Sequence, residues 1–314
     1  MGHTAFIFPG QGSQSVGMGR DLFQAFPEAK AVFDAANDAL TLKLSDLCFN
    51  GPEESLRLTA HTQPAILTVS VAVHAVLSKR VGAPAFVAGH SLGEYSALVA
   101  AGVLPFADAV RLVRARGTFM QDAVPAGEGA MAVVLGLRPE VVTAVCAETA
   151  KDGEVLAPAN YNSPEQTVIA GHAAAVTRAE EPLKAAGAKR FIPLAVSAPF
   201  HCALMAPVRD RLKDALSHVR IRPVSIPVIS NVEAKANSAS ARVAELLVEQ
   251  VTSPVRWVES VEELHRLGVT RFVELGPGRV LCGLVKRILK DVEVFNVEDC
   301  ASLQRTLNAL EAPG

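Results

Sequence analysis

Two residues in this 314-residue sequence are suited to covalent attack on a carbonyl carbon, Ser91 as nucleophile and His201 as its base. Ser91 sits in Gly89-His90-Ser91-Leu92-Gly93, a G-x-S-x-G pattern. An apolar run from Ala85 to His90 precedes it, and a helical pattern from Leu92 to Ala101 follows. That context turns a common short pattern into a strand-to-helix elbow. The elbow forces the serine into a strained turn, the glycines let neighbouring elements approach, and the hydroxyl projects beyond the sheet. The helix N-terminus beneath it favours developing negative charge.

A serine hydroxyl needs a base to become a nucleophile. Of the eight histidines, His201 is the best placed, in Ser197-Ala198-Pro199-Phe200-His201-Cys202 just after a predicted strand. An ordinary loop or N-cap histidine would read the same way. His90 adjoins the nucleophile in sequence and is poorly placed to reach back across the elbow. His74 falls on a helical core stripe, and His3, His172, His218 and His265 read as peripheral. No acidic residue stands out in a suitable loop between Ser91 and His201. The expectation is therefore a Ser–His dyad without the third, acidic member, its second ring nitrogen held by a backbone carbonyl.

Arg116 is the most informative charge. Its predicted helix, Pro105 to Val124, carries an apolar stripe of Ala109, Leu112, Val113, Phe119, Met120 and Ala123 at helical spacing. Arg116 falls on that stripe, whereas Asp108, Arg111, Arg114 and Asp122 fall off it. A guanidinium facing the interior needs a partner, because an unpaired buried charge is costly. The partner is either structural, with snorkelling as a further alternative, or a carboxylate arriving with a substrate, for which the planar fork is well shaped.

A tetrahedral intermediate needs donors aimed at its oxygen. The backbone N–H of Leu92 is the first candidate, and Gln11 in the Pro9-Gly10-Gln11-Gly12 loop is the second. That loop could equally be a plain turn, since it lacks the spacing of a phosphate loop or a dinucleotide fingerprint. Gly276-Pro277-Gly278 is similarly open between a ligand-approaching loop and a simple turn.

The elements that must position these groups alternate short apolar runs with helical patterns, the signature of an α/β sheet. Residues 4–8, 85–90, 226–230, 271–275 and 292–297 read as strands. From about Gly129 to Leu194 the rhythm changes to β-α-β-β-α-β, a ferredoxin-like unit. The expected organisation is a large subdomain of residues 1–128 and 195–314, with residues 129–194 inserted as a smaller one.

Composition adds exclusions. Formal charge is −2 and aromatic content 5%, so neither a basic nucleic-acid footprint nor stacking platforms are present. The longest apolar stretch, Pro64 to Leu77, falls short of the roughly 18 residues of a membrane span and reads as a buried helix. Strand-like residues begin at Thr4, leaving no room for a secretory leader. The five cysteines are scattered and form no CxxC, which fits a reducing cytoplasm and no metal site.

Taken together the motifs resemble the malonyl-CoA:acyl carrier protein transacylases of fatty-acid synthesis and the related acyltransferase domains of polyketide synthases. The resemblance rests on Phe8-Pro9-Gly10-Gln11-Gly12-Ser13-Gln14, Thr62-Gln63-Pro64-Ala65, Gly89-His90-Ser91-Leu92-Gly93-Glu94-Tyr95, Arg114-Ala115-Arg116-Gly117, Tyr161-Asn162-Ser163-Pro164, Pro199-Phe200-His201 and Glu274-Leu275-Gly276-Pro277-Gly278. These run nearly end to end in family order.

The resemblance implies an α/β-hydrolase-like large subdomain with a parallel sheet and an inserted ferredoxin-like small one. It implies Ser91 as nucleophile, His201 as base, Gln11 and the Leu92 amide at the oxyanion hole, and Arg116 on a malonyl carboxylate. Gln250 is implied near His201, with Gln63, Asn162, His90 and Phe200 in support. Phe200 resembles the malonyl-preferring form of its motif. The implied substrate is malonyl-CoA, with no cofactor, and the implied acceptor is the phosphopantetheine arm of an acyl carrier protein. Carrier proteins in this role are acidic, so Lys189, Arg190, Lys286 and Arg287 are candidates for a basic rim, solvated surface charge being the plainer reading of each.

Two other classes are open to the same residues. A serine hydrolase would use water as acceptor, against which Arg116 and the missing acid argue. A carrier-binding relative without activity would have no need to keep Ser91, His201 and Arg116 together.

Overall fold

The computed structural model describes residues 2–196 and 198–311. Ser197, quoted above with the His201 segment, lies outside them. Ten strands run in chain order as β1 (His3–Phe8), β2 (Phe86–Gly89), β3 (Gly129–Leu135), β4 (Leu156–Ser163), β5 (Gln166–His172), β6 (Arg190–Pro193), β7 (Val228–Ile229), β8 (Ala236–Asn237), β9 (Val269–Leu275) and β10 (Glu293–Val297).

The larger sheet has the order β10-β9-β1-β2-β7-β8, parallel throughout except for β8, which runs antiparallel to β7. The last four residues of β1 are all buried, as expected of a central parallel strand covered on both faces. Alternation along the strand sorts them. Phe6 and Phe8 join the main core on one side, and Ala5 and Ile7 pack with Ile229, Trp257 and Phe272 on the other.

The smaller sheet is antiparallel, in the order β4-β5-β3-β6. Its chain order is β3, helix Pro139–Thr149, β4, β5, helices Ala173–Arg178 and Glu180–Ala185, then β6. That is the ferredoxin-like arrangement, with its own cluster of Ala132, Val134, Val142, Ile169, Val176 and Leu183. The spacing of residues 173–186 reads as a single helix, the second of the β-α-β-β-α-β unit. The structure breaks it at Ala179, and Pro182, which has no N–H to donate, sits inside the second piece. The two sheets meet where β4 borders the segment around Val255. Tyr161 N–H donates to Val255 O and Val255 N–H to Ala159 O, both at 2.9 Å.

The buried helix expected from Pro64 begins earlier, spanning Thr59–Leu77 with Pro64 inside it. At 19 residues and a mean hydropathy of 1.2 it is long and apolar enough to cross a membrane, contrary to the shorter count from the sequence. Nevertheless 78% of that stretch is buried within the protein. It packs between β1 and the helices Pro27–Leu40 and Phe106–Asp122 as the central rod of the core.

Candidate active site

The site forms at the carboxyl ends of adjacent parallel strands, where α/β sheets gather their ligands. Gln11 follows β1, Ser91 follows β2 and Asn231 follows β7. Ser91 stands between β2 and the helix Leu92–Ala100 with φ 53° and ψ −106°, a conformation non-glycine residues rarely adopt. Neighbouring glycines make the turn feasible. A Cβ on Gly89 would lie 1.9 Å from the Gly93 carbonyl carbon, and one on Gly93 would lie 2.0 Å from Phe8 O.

The Asn231 amide buttresses this turn. Its Oδ1 accepts the Ser91 N–H at 2.7 Å, and its Nδ2 donates to Gly89 O at 2.7 Å. Leu92 opens the following helix, so its N–H has no acceptor within that helix.

His201 comes from a loop 110 residues away and also has a positive φ, 59°. Its Nε2 stands 2.7 Å from Ser91 Oγ. On the other side of the ring, Nδ1 faces two carbonyl oxygens, Gln250 O at 2.9 Å and Ser253 O at 3.2 Å. Both can only accept, so Nδ1 carries the proton and Nε2 turns its lone pair toward the serine hydroxyl. Burial, followed by the Arg116 cation, lowers the ring's pKa to about 3, while the two carbonyl bonds oppose the shift. The imidazole is therefore neutral at physiological pH.

Arg116 projects from the helix Phe106–Asp122 and is only 1% exposed. Its Nη1 donates to Gln63 Oε1 at 2.8 Å, and its Nη2 to Gln250 Oε1 at 2.9 Å and to Ser91 Oγ at 3.3 Å. The guanidinium lies over the Tyr95 ring, 5.3 Å from its centroid, and its Nε has no partner. All three oxygen partners are uncharged. The neutral amide oxygens solvate the cation without neutralising it.

A buried carboxylate stands one residue further out. Glu94, 3% exposed, accepts through Oε2 from Gln250 Nε2 at 2.8 Å and from the Asn231 N–H at 3.1 Å. Burial raises its pKa to about 7, the two hydrogen bonds and the Arg116 charge opposing that shift. Gln250 thus links the serine, the histidine, the cation and the carboxylate. Besides Arg116 and Glu94, its Nε2 reaches Ser91 O at 3.1 Å, and its backbone carbonyl holds His201.

The other expected residues are placed as follows. Gln63 is buried against Arg116. His90 is half-buried, its Nε2 2.8 Å from Asn162 Oδ1 and its ring 5.7 Å from that of Trp257, and enclosure lowers its pKa. Phe200 is buried beside His201. Gln11 donates from its side chain to Thr59 Oγ1 at 3.2 Å. The Gly276-Pro277-Gly278 loop packs on protein, because a Cβ on Gly276 would meet Ser70 Oγ and Pro9. Lys189 pairs with Glu165 at 3.3 Å and Arg287 donates to Gln166 Oε1 at 2.9 Å, along one cleft that Lys290 also lines. Arg190 and Lys286 are exposed.

Asn231 and Ser253 belong to no motif seen in the sequence. The only signal for Asn231 was an amide directly after a short apolar strand, a pattern shared by many turns. Among the described residues, no group of three or more His, Cys, Asp or Glu side chains could hold a metal ion.

The profile of the acyl transferase domain family matches residues 5–311. A malonyl CoA-acyl carrier protein transacylase from Escherichia coli strain K12 is 50% identical over 308 residues, covering 98% of this chain and 99% of the relative. One of the same name from Bacillus subtilis strain 168 is 48% identical over 311 residues, covering 99% and 98%. Among solved structures, a malonyl-transacylase in complex with its type II PKS acyl-carrier protein superposes with a TM-score of 0.95. It is 48% identical and covers 98% of this chain and 99% of its own. A match of this extent, over the strands, loops and helices that carry Ser91, Arg116 and His201, makes the chain a member of the acyl transferase family.

Proposed function

We propose that the protein moves a malonyl group from malonyl-CoA to the phosphopantetheine thiol of an acyl carrier protein, through an ester on Ser91. The observation that carries this reading is Arg116, a buried cation with uncharged partners whose Nη2 lies 3.3 Å from Ser91 Oγ. An acyl group on that oxygen bearing a free carboxylate two carbons away supplies a directly bonded anionic partner, which Glu94, bonded through Gln250, does not. An acetyl group does not. Charge-assisted hydrogen bonds contribute roughly 1.5–3 kcal/mol each, so the difference discriminates between the two. The relatives named for malonyl transfer, and the one solved with a carrier protein, support the same donor and acceptor.

In the first half-reaction the Ser91 hydroxyl proton passes to His201 Nε2 as Oγ attacks the thioester carbonyl. The oxyanion accepts N–H groups from Leu92 and the Gln11 loop. Collapse breaks the carbon–sulfur bond, and the departing sulfur takes the proton from His201. In the second half-reaction His201 takes the proton of the phosphopantetheine thiol, whose sulfur attacks the ester, and Ser91 recovers its proton. Side chains and backbone amides of the protein perform each step, with coenzyme A entering as part of the substrate and no separate cofactor. Five free cysteines, four of them buried, accord with a cytoplasmic location.

Intact mass spectrometry after brief incubation with malonyl-CoA tests this reading. A malonyl adduct on the wild type and none on Ser91→Ala is the expected result. Release of free coenzyme A without an adduct would move the assignment to hydrolysis, and neither product would move it to binding.

A further inference from the structure

The charge balance of the site changes when an acyl group binds. With Ser91 free, the buried surroundings of its hydroxyl hold, among the described residues, one cation, Arg116, and one carboxylate, Glu94. They share no direct bond. The Gln250 amide lies between them, its oxygen on Arg116 Nη2 at 2.9 Å and its nitrogen on Glu94 Oε2 at 2.8 Å. A malonyl ester would add a second carboxylate to the same cation, leaving one uncompensated negative charge in a medium that solvates it poorly.

We propose that Glu94 is a positioning residue that takes up a proton when a carboxylate-bearing acyl group occupies Ser91, so that malonyl loading is proton-coupled and acetyl loading is not. The proposal rests on the malonyl-transfer reading above. The geometry suits it. Both N–H donors, from Asn231 and Gln250, converge on Oε2, which leaves Oε1 to carry a proton without breaking either bond. Ser91 is held through those same two residues, so its position survives the change of charge.

Glu94 also borders a small cavity of about 10 Å³, lined by Leu98, Val228, Ser230, Asn237, Val243 and Leu246. That volume is near the minimum for one water molecule. The Ser230 hydroxyl and the Asn237 amide offer polar contacts on the way to the partly exposed Asn237. The cavity thus places polar groups on the side of Glu94 away from the acyl site.

Burial already raises the Glu94 carboxyl to about 7 in the free protein. The groups facing it are Gln250, the Asn231 amide and the Arg116 cation, with Tyr95 on its own helix also coupled to the pair. Both neighbouring histidines are held neutral by burial and add no charge. A second anion on Arg116 can only raise the Glu94 pKa further. Above pH 7 malonyl loading must therefore draw a proton from solution, and it weakens as pH rises.

The test compares malonyl-CoA with acetyl-CoA as donors in burst acylation of Ser91 between pH 6 and pH 9, in the wild type and in Glu94→Gln. The ratio of the two efficiencies cancels every titration that the acyl groups share, including those of His201 and the coenzyme A thiol. The wild-type ratio is expected to fall above pH 7 by up to about tenfold per pH unit. In Glu94→Gln, a neutral mimic of the protonated acid, the ratio is expected to be independent of pH. A wild-type ratio that stays flat overturns the proposal without recourse to any variant. So does a folded Glu94→Gln protein that keeps the wild-type slope. No acylation by malonyl-CoA at any pH overturns instead the transfer reading on which the proposal rests.

Discussion

Arg116 Nη2 lies 3.3 Å from Ser91 Oγ, close enough that whatever is esterified to the serine must come to terms with the guanidinium. The other hydrogen-bond partners of that cation, Gln63 and Gln250, together with the Tyr95 ring beneath it, form a cradle that fixes the plane of the fork. Replacing Arg116 by alanine removes the proposed carboxylate partner. Two charge-assisted bonds together correspond to about 3 kcal/mol or more, or about a hundredfold at 1.36 kcal/mol per decade. The malonyl kcat/KM is expected to fall by about that factor, while acetyl transfer is unchanged or rises. Parallel kinetics with the two thioesters checks this, and an equal loss for both would remove the carboxylate-reading role.

His201 supplies a pH prediction. Burial and the neighbouring cation depress its pKa from 6.5 to about 3. Because kcat/KM reports ionisations of the free enzyme, acylation is expected to show no acid limb at the ordinary histidine pKa and to hold its rate down to about pH 5. Folding is linked to the same shift. The folded state disfavours the proton, so this contribution to stability is complete above pH 6.5 and is lost progressively as pH falls toward about 3. An acid limb with a kinetic pKa near 6.5, measured with acetyl-CoA as donor so that Glu94 does not contribute, would contradict the enclosed ring.

Much of this arrangement could be read before the fold was known, for physical reasons that differ by residue. Ser91 was legible because an elbow needs an apolar strand, two small residues and a helix in immediate succession, all local features. Arg116 was legible because a charge on an apolar helical stripe violates the pattern of its own element. The buried Thr59–Leu77 helix was recognised but started too late, since Pro64 suggested a first turn that lies five residues upstream. Between Gln14 and His61 the structure holds four helices that the strand pattern of the sequence does not announce. Three of these have only five to seven residues, too short for a periodicity to show, whereas Pro27–Leu40 carries a regular stripe of Ala29, Phe33 and Ala36 at helical spacing. Asn231 and Ser253 could not be read at all. Their contributions, a side-chain amide at Ser91 and a carbonyl at His201, depend on contacts that only the tertiary fold creates.

Asn231 offers a contrast to Arg116. Its side chain fills two roles at the elbow, acceptor for Ser91 N–H and donor to Gly89 O. Asn231→Ala leaves both backbone groups without that partner, at about 1–3 kcal/mol for each buried group. The strained Ser91 backbone then relaxes and the hydroxyl drifts from His201. Acylation is expected to fall by a similar factor with malonyl-CoA and acetyl-CoA, because no acyl carboxylate is involved. Measuring both donors separates this positioning effect from the selective loss expected of Arg116→Ala. A malonyl-selective defect would mean that Asn231 acts on the carboxylate instead.

Gly93 tests how tightly the elbow is built. A Cβ there would stand 2.0 Å from Phe8 O and 3.0 Å from Pro9 O, backbone atoms of the central strand and of the loop that leads to Gln11. Neither can yield without moving the sheet or the proposed oxyanion donors. Gly93→Ala is therefore expected to cost at least the roughly 1–3 kcal/mol typical of overpacking. It should both lower the melting temperature and abolish the malonyl adduct. Gly82→Ala is the control, since its added methyl meets nothing within 4 Å, and it should leave both readouts at wild-type values. If Gly93→Ala kept full adduct formation at an unchanged melting temperature, the close packing of β1 against the nucleophile helix would not be required for the turn that presents Ser91.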